Sequence, residues 1–336
     1  MGKTPARVTG IDVSAKWLDV SVQDEGSEPR QARFDNTDRG HRQLCRWLGK
    51  GGRRARVVLE ATGVYSLDLA LALERAPRIA VMVVNPRVAK DYANATQRRA
   101  HTDRTAAAVL RELAPRMPFT AWQPPRPAGV ELRALGRRIE ALRLEQPAEK
   151  NRLHAAESST QTPAAVRNDI AVNIRHLERR VARLIEQALA LIAKDAQLAR
   201  AHHQVSSIKG IADLSAIRLL GELLVLPADM SVRQWVAHAG LDPRPWQSGS
   251  SVARPTRISR VGNARIRGAL YLPALVAIQR EPHVRAFRDH LVARGKTCLQ
   301  ANVAVMRKLL HAIYGMLKTD TAFVGQKFFK LVTSEA

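Results

Sequence analysis

The sequence predicts an α/β domain with a mixed sheet, then a helical coiled-coil middle and a mostly helical C-terminal domain. Three observations lead to this prediction. Apolar segments with strand spacing alternate with helical segments over roughly the first 120 residues. Five prolines within 115–127 indicate a linker. Heptad spacing follows, and the pattern changes again near residue 204. The predicted domains are 1–120, 121–203 and 204–336.

The first domain is predicted to contain five strands with helices after the third, fourth and fifth. Leu18, Val20 and Val22 alternate with polar residues, as in a strand with one buried face. Asn36 or Thr37 is suited to cap the first helix. The strands are predicted at 8–13, 17–22, 32–34, 57–59 and 79–84, and the later helices at 66–75, from 86 and at 101–113. This order is also that of the RNase H-like (RuvC-type) fold.

The middle segment carries apolar residues every three or four positions. A first series runs from Leu132 to Leu142 and a second from Ile170 to Leu191, with a break around Pro147 and Pro163. Spacings that alternate between four and three are typical of a heptad seam. The segment therefore predicts a helical hairpin or an intermolecular coiled coil, with Pro147 interrupting the first helix. A helix pair packed on its own domain fits the same pattern.

The last domain begins with a turn followed by an apolar helix. Ile208–Ile211 resembles the entry of a helix-hairpin-helix, which offers backbone N–H groups to a DNA phosphate. Ala212 stands where a second glycine is expected, and a plain helix N-terminus fits equally well.

The charge balance indicates a polyanionic partner. The 336 residues carry 54 Lys and Arg against 30 Asp and Glu, a net charge of +24. Such an excess favours nucleic acid as the partner, and the alternative is a basic protein from a high-GC genome that uses Arg freely. Two distant cysteines, Cys45 and Cys298, lack metal spacing and suit a reduced cytosolic protein. No apolar run reaches the roughly 20 residues of a membrane helix, so no membrane partner is expected.

The positions of three acidic residues indicate a metal site. Asp12 lies within the first strand, Glu60 ends the fourth, and Asp103 begins a helix. A carboxylate among apolar strand residues is costly unless a cation pairs with it. Converging carboxylates bind Mg²⁺, which supports reactions at phosphorus. Each acid alone also has a purely structural explanation: Asp12 fits a turn, and Asp103 fits the N-terminus of a helix, where a negative charge is favourable.

A second candidate site lies between 240 and 280. Residues 240–251 are predicted to form a Gly, Pro and Ser-rich loop between helices, and Ser248 on it is a candidate nucleophile. A plain surface loop is the alternative. No Asp or Glu occurs from 243 to 280. The arginines of this stretch predict contacts with a phosphate backbone, and the candidates are Arg244, Arg254, Arg257, Arg260, Arg265 and Arg267.

The motifs together resemble one family of insertion-sequence transposases. This family combines a DEDD RuvC-like domain with a serine nucleophile and comprises the "IS one-ten" and "IS eleven-eleven" groups with Piv-type invertases. The resemblance spans nearly the whole chain. Its motifs are Gly10–Ser14, Leu59–Gly63, Val84–Pro86, Thr102–Arg104, Ala239–Leu241, Gln247–Gly249, Arg257–Ser259, Gly262–Ala264 and Met306–Leu310.

The resemblance implies a cytoplasmic recombinase that acts on double-stranded donor and target DNA. It implies that Asp12, Glu60 and Asp103 bind Mg²⁺, and that Ser248 forms a transient covalent link to DNA. It further implies a structured guide (bridge) RNA, assembly as a homodimer or tetramer through the coiled coil, and active sites shared between protomers.

One position departs from the family. The fourth acid is expected three residues after Asp103, and Ala106 stands there. Loss of one ligand predicts weaker metal binding, unless another acid is borrowed. Glu112, two turns further on, is a poor geometric substitute. Two alternatives therefore stay open: a catalytically impaired DNA- or RNA-binding relative, and a Holliday-junction-type nuclease that uses the acids without the serine.

Overall fold

A computed structural model describes residues 7–61, 63, 65–97, 102–248 and 252–331, with only the backbone for 246–248 and 252–255. The chain forms two compact units, Met1–Pro124 and Pro125–Ala336. The predicted middle segment and the predicted C-terminal domain both belong to the second unit.

The first unit contains a five-stranded mixed sheet, which confirms the predicted α/β class. Its strands are β1 (Arg7–Val13), β2 (Trp17–Gln23), β3 (Arg30–Asp35), β4 (Ala55–Glu60) and β5 (Ile79–Val84). They lie in the order β3-β2-β1-β4-β5. β1 pairs antiparallel with β2 and parallel with β4. The carboxyl ends of β1 and β4 therefore meet at one edge.

Helices cover both faces of this sheet. They are α1 (Asp38–Gly49), α2 (Leu67–Glu74), α3 (Pro86–Ala95) and α4 (Asp103–Leu113). Leu44 of α1 and Leu69 of α2 share one core with β1 and β2, whereas Leu110 of α4 packs with Val58 and Met82 on the other face. Thr37 rather than Asn36 caps α1, because its hydroxyl accepts from the Gly40 N–H. The predicted helix start at His101 lies outside the described residues.

The second unit begins with a long helical hairpin. Its helices are α5 (Pro127–Glu157) and α6 (Ala164–Lys194). The prediction that Pro147 interrupts the first helix is wrong, because α5 continues through it. A proline removes one backbone hydrogen bond, and the neighbouring turns carry the helix onward. Leu177 and Val181 of the heptad seam share a core with Leu132 and Ile139 of α5 and with Ile217. The seam thus packs within its own domain.

The remaining helices complete this core. They are α7 (Ala196–Ser206), α8 (Asp213–Leu223), α9 (Val232–Ala239), α10 (Ala264–Arg280), α11 (Pro282–Ala293), α12 (Cys298–Thr319) and α13 (Gly325–Phe328). Gly210 in the turn before α8 has a φ of +108°, and a Cβ there would lie 2.7 Å from the Pro273 carbonyl oxygen. This turn therefore packs against α10. Within the described part of the chain, no helix is long and apolar enough to cross a membrane.

The prediction of an open loop at 240–251 is wrong for residues 243–248, because they form strand β6 (Pro243–Ser248). This strand pairs antiparallel with β7 (Val252–Ile258) in a two-stranded sheet. Residues 249–251 lie outside the described part of the chain. Val252, Thr256 and Ile258 are β-branched and favour a strand. The prolines at 243, 245 and 255 concealed the strand pattern, although both strands of a two-stranded sheet are edges and edges accommodate proline. We refer to β6 and β7 together as the ribbon.

Candidate functional site

The three predicted acids line one cavity of the first unit. Ile11 and Leu59 are register partners in the parallel β1–β4 pair, so Asp12 and Glu60 follow them on adjacent strands. Asp103 is the first residue of α4, which packs on β1. All three line a cavity of about 600 Å³. The sequence motifs are thus brought to one place.

Burial and negative charge both act on these carboxyls. The pKa of Asp12 is raised to about 6, first by burial and then by the negative charges of Asp103, Glu60 and Asp19. Burial also raises the pKa of Glu60. A raised pKa means that the ionised form of the carboxyl is destabilised, and a nearby cation would stabilise that form.

The acids are nevertheless not packed as tightly as metal ligands. Among the described residues, no group of three His, Cys, Asp or Glu side chains is close enough together to hold a metal ion. The donor set fits Mg²⁺ in its chemistry, since carboxylate oxygens are the ligands that this ion prefers. Binding requires the three side chains to approach one another more closely than they do here.

Gly10 sets the position of the helix that carries Asp103. A Cβ at Gly10 would lie 2.2 Å from the Ala107 carbonyl oxygen and 2.3 Å from the Arg111 nitrogen. The backbone of α4 thus rests directly on β1. Thr102 and Thr105 form a capping box that fixes the first turn of α4. Asp103 is held over the end of β1 for these two reasons.

Asn36 ties together the segments that follow two of the acids. Its Nδ2 donates to the Ser14 carbonyl at 2.8 Å and to the Tyr65 carbonyl at 3.1 Å. Its Oδ1 lies 2.7 Å from Nε2 of the buried His41. Sequence reasoning considered Asn36 only as a helix cap, and nothing in the local pattern indicated this role.

A fourth acid lies beside Asp12, but it is already paired. Asp19 is the register partner of Asp12 across β1 and β2, and it is buried. Arg33 donates to it through Nε at 3.1 Å and through Nη2 at 2.9 Å. Asp19 does not line the acid cavity as Asp12 does. Sequence reasoning missed it, although a buried strand residue that is acidic is itself a signal.

Ala106 faces the same cavity as Asp103. It lies three residues further along α4 and lines the cavity wall, as does Lys90 of α3. A carboxylate at position 106 would therefore point toward the other acids, which is where the family's fourth ligand is expected. The methyl group of Ala106 supplies no metal ligand at this position of the cavity wall.

The predicted nucleophile and arginines lie on and beside the ribbon. Ser248 ends β6, with Val252 as its backbone partner, and its side chain lies outside the described part, as does that of Arg254. Arg244 and Arg257 are exposed register partners, so two positive charges oppose each other across the ribbon.

The other three arginines lie just after the ribbon. Arg260 is exposed and has a φ of +54°. Arg265 is half exposed and forms an ion pair with Glu140 at 3.4 Å. Arg267 donates to the Ala239 carbonyl at 2.8 Å, so this side chain also holds the chain entering the ribbon.

Comparison with known proteins links both units to one group. Residues 9–159 match a DEDD family model described as a transposase of IS110 type. Residues 202–289 match a model described as the transposase IS116/IS110/IS902 family.

Individual relatives agree with these models. The chain is 27% identical to the pilin gene-inverting protein of Moraxella bovis over 323 residues, covering 94% of this chain and 96% of that protein. The corresponding Moraxella lacunata protein matches equally well. An uncharacterized protein of insertion element IS110 from Streptomyces coelicolor is 30% identical over 145 residues, or 41% of this chain and 35% of that protein.

Proposed function

Because the chain belongs to the IS110 family of transposases, we propose that it cuts and rejoins DNA strands with an Mg²⁺ site and a serine nucleophile. Asp12, Glu60 and Asp103 would hold the ion, and Ser248 would attack the DNA. The observation that carries this proposal is the shared cavity of the three acids, in which burial and then neighbouring negative charges raise the pKa of Asp12. The strand order β3-β2-β1-β4-β5 supports an RNase H-like assignment for this unit.

An Mg²⁺ ion held by Asp12, Glu60 and Asp103 would supply positive charge beside the oxygens of a phosphodiester. The protein's own part is to orient the ligands: α4 rests on Gly10, and Asn36 fixes the segments after Asp12 and Glu60. Rigid support of this kind reduces the reorganisation needed when substrate binds.

Ser248 would perform the exchange of bonds. Its Oγ forms a bond to phosphorus while a P–O bond of the DNA strand breaks, and the departing DNA oxygen takes up the proton. The link between Ser248 and the DNA is itself a phosphodiester, so the energy of the broken bond is conserved. The hydroxyl end of a second DNA strand can then attack this phosphorus and release the serine, which joins the two strands. Arg244 and Arg257 would hold the phosphates beside the ribbon.

The finer partners follow from the family resemblance. We include double-stranded donor and target DNA, a structured guide RNA, and a homodimer or tetramer with shared active sites. The net charge of +24 supports a polyanionic partner. Inversion of a DNA segment, the reaction in the name of the Moraxella relatives, uses the same cutting and rejoining.

A second candidate is favoured by one observation. Ala106 stands in the cavity wall where the resemblance implies a fourth carboxylate. If the three remaining acids do not suffice to bind the metal, the chain would bind DNA or RNA without catalysis. A Holliday-junction-type nuclease would use the acids and leave Ser248 unused.

One experiment separates these candidates. The protein is incubated with donor DNA, target DNA, RNA from the element's flank and Mg²⁺, and a denaturing gel reveals protein covalently bound to DNA. We expect an adduct that Ser248→Ala abolishes and that the matched change Ser250→Ala leaves intact. Cleavage that persists in Ser248→Ala would favour the nuclease, and binding without adduct or cleavage would favour the non-catalytic protein.

A further inference from the structure

The chain leaves the ribbon through a tightly constrained turn, residues 259–263. Arg260 and Gly262 both have positive φ, at +54° and +117°. A Cβ on Gly262 would lie 2.2 Å from the His238 carbonyl oxygen, so the turn lies against the end of α9. The Arg260 N–H donates to the Gly240 carbonyl at 3.1 Å. Any shift of this turn would move the ribbon with it.

Asn263 is the residue that fastens this turn. Its backbone N–H donates to the His238 carbonyl at 2.6 Å. Its Oδ1 accepts from the Arg265 N–H at 2.9 Å and thereby caps α10. Its Nδ2 donates to Oε2 of Glu222 at 2.7 Å. The side-chain amide thus joins the end of the turn to α8.

Glu222 lies inside the second unit. It is 4% exposed, between the core residues Leu220 and Leu223 of α8. Nε of Arg137 donates to one carboxylate oxygen at 2.6 Å, and Nη2 donates to the other at 2.9 Å. Burial alone would raise the pKa of Glu222, but the hydrogen bonds from Arg137 and Asn263 and the charge of Arg137 outweigh it and lower the pKa. The carboxylate is therefore ionised at neutral pH.

A buried ion pair rarely adds net stability over an apolar pair of the same volume. Its advantage is geometric, since a bidentate Arg–carboxylate contact fixes both side chains while each carboxylate oxygen can still accept a further hydrogen bond. Here the third donor is the amide of Asn263. The rigid α5–α8 pair thus fixes the point at which the ribbon returns to the helices.

We infer that Glu222, held by Arg137, is a positioning residue for the Ser248 ribbon. This inference rests on the proposed function, because it assigns the contact a role in presenting the nucleophile to DNA. Glu222 is hydrogen-bonded to Asn263, at the end of the turn that follows the ribbon. Its removal should loosen the ribbon and slow covalent attack, while the exposed arginines continue to bind DNA.

The test compares Glu222→Gln with Glu281→Gln. Glu281 is also a mostly buried acid of the second unit, 13% exposed, and it forms an ion pair with Lys209 at 3.3 Å. Neither of these two residues belongs to the turn, the ribbon or the proposed nucleic-acid contacts. Hydrogen exchange is followed in peptides covering 238–263 without DNA, and adduct formation and duplex affinity are measured separately. For Glu222→Gln we expect about tenfold faster exchange and an adduct rate lower by about tenfold, with duplex affinity within about twofold of wild type. Glu281→Gln should change neither exchange in this segment nor the adduct rate.

A second variant guards against a folding defect. Asn263→Ser keeps an oxygen that can cap α10 but removes the amide donor to Glu222, so it should reproduce the faster exchange in a folded protein. Unchanged exchange in both variants would overturn the inference, as would faster exchange with an unaltered adduct rate. If the wild-type protein forms no adduct, the proposed function fails, while the exchange data still decide whether Glu222 holds the ribbon.

Discussion

Asp12 and Asp19 face each other as register partners across β1 and β2, and Arg33 pairs with Asp19. No ion pair of Asp12 is found among the described residues. Asp19 thus has a cationic partner, whereas burial and the neighbouring negative charges destabilise the anion of Asp12. This asymmetry leaves Asp12 prepared for a cation that is not part of the chain.

Asp12→Asn should stabilise the metal-free protein at pH 7. Because the folded-state pKa is raised from 3.8 to about 6, the folded state retains a proton that the unfolded chain releases, and wild-type stability falls as pH rises between these values. Removing the charge should add about 1–3 kcal/mol to the free energy of unfolding at pH 7. Urea denaturation from pH 4 to 7 measures it, with exposed Asp91→Asn as control. An unchanged pH slope would contradict the raised pKa.

Gly10→Ala should displace α4. The added methyl group would meet the backbone at Ala107 and Arg111, which cannot move as a flexible side chain would. Overpacking of this kind costs about 1–3 kcal/mol, and we also expect loss of Mg²⁺-induced thermal stabilisation because Asp103 moves with the helix. Gly49→Ala is the matched control, as nothing lies within 4 Å of its Cβ position. Equal stability of the two variants would show that α4 does not rest on Gly10.

Ala106→Asp should strengthen metal binding. The new carboxylate would face the cavity that Asp103 lines, one turn along α4. We expect lower stability without metal, a larger increase in melting temperature with Mg²⁺ and more Mg²⁺-dependent adduct. Ala106→Asn has nearly the same size without the charge and should not gain adduct. No gain in Ala106→Asp would argue against the assigned ligands.

Asn36→Ala should lower both the stability of the first unit and its affinity for Mg²⁺, although Asn36 is not one of the proposed ligands. It would leave two backbone carbonyls and the ring of His41 without their partner, at a cost of about 1–3 kcal/mol. The Mg²⁺-induced rise in melting temperature should shrink as well, because the segments after Asp12 and Glu60 lose their link. A variant with lower stability but a normal Mg²⁺ response would restrict Asn36 to a structural role.

Patterns close together in sequence predicted most of the first unit. Val57–Leu59 is a continuous apolar strand, and Leu18, Val20 and Val22 alternate, so the sheet follows from side-chain periodicity. The acids at 12, 60 and 103 were predicted because their motifs are recognisable. Asn36 and Asp19 were not, because their roles depend on partners 14 to 29 residues away that no local pattern specifies.

The wrong secondary-structure predictions lie mainly in segments that contain proline. Pro147 was expected to interrupt a helix, yet α5 continues through it, with Leu142 buried before the proline and Ala156 buried after it. The ribbon was taken for a loop because prolines conceal its strand pattern. Glu222 gave no signal, since an acid in a helix is ordinarily on the surface, and its burial depends on Arg137, 85 residues earlier.

The prolines of the ribbon have a consequence for the protein at high concentration. Both strands are edges, and an uncovered edge can recruit a strand from another molecule. Prolines at 243, 245 and 255 lack the N–H that such pairing needs, and the opposed Arg244 and Arg257 repel an identical ribbon. These features oppose the pairing of the ribbon with a strand of another molecule.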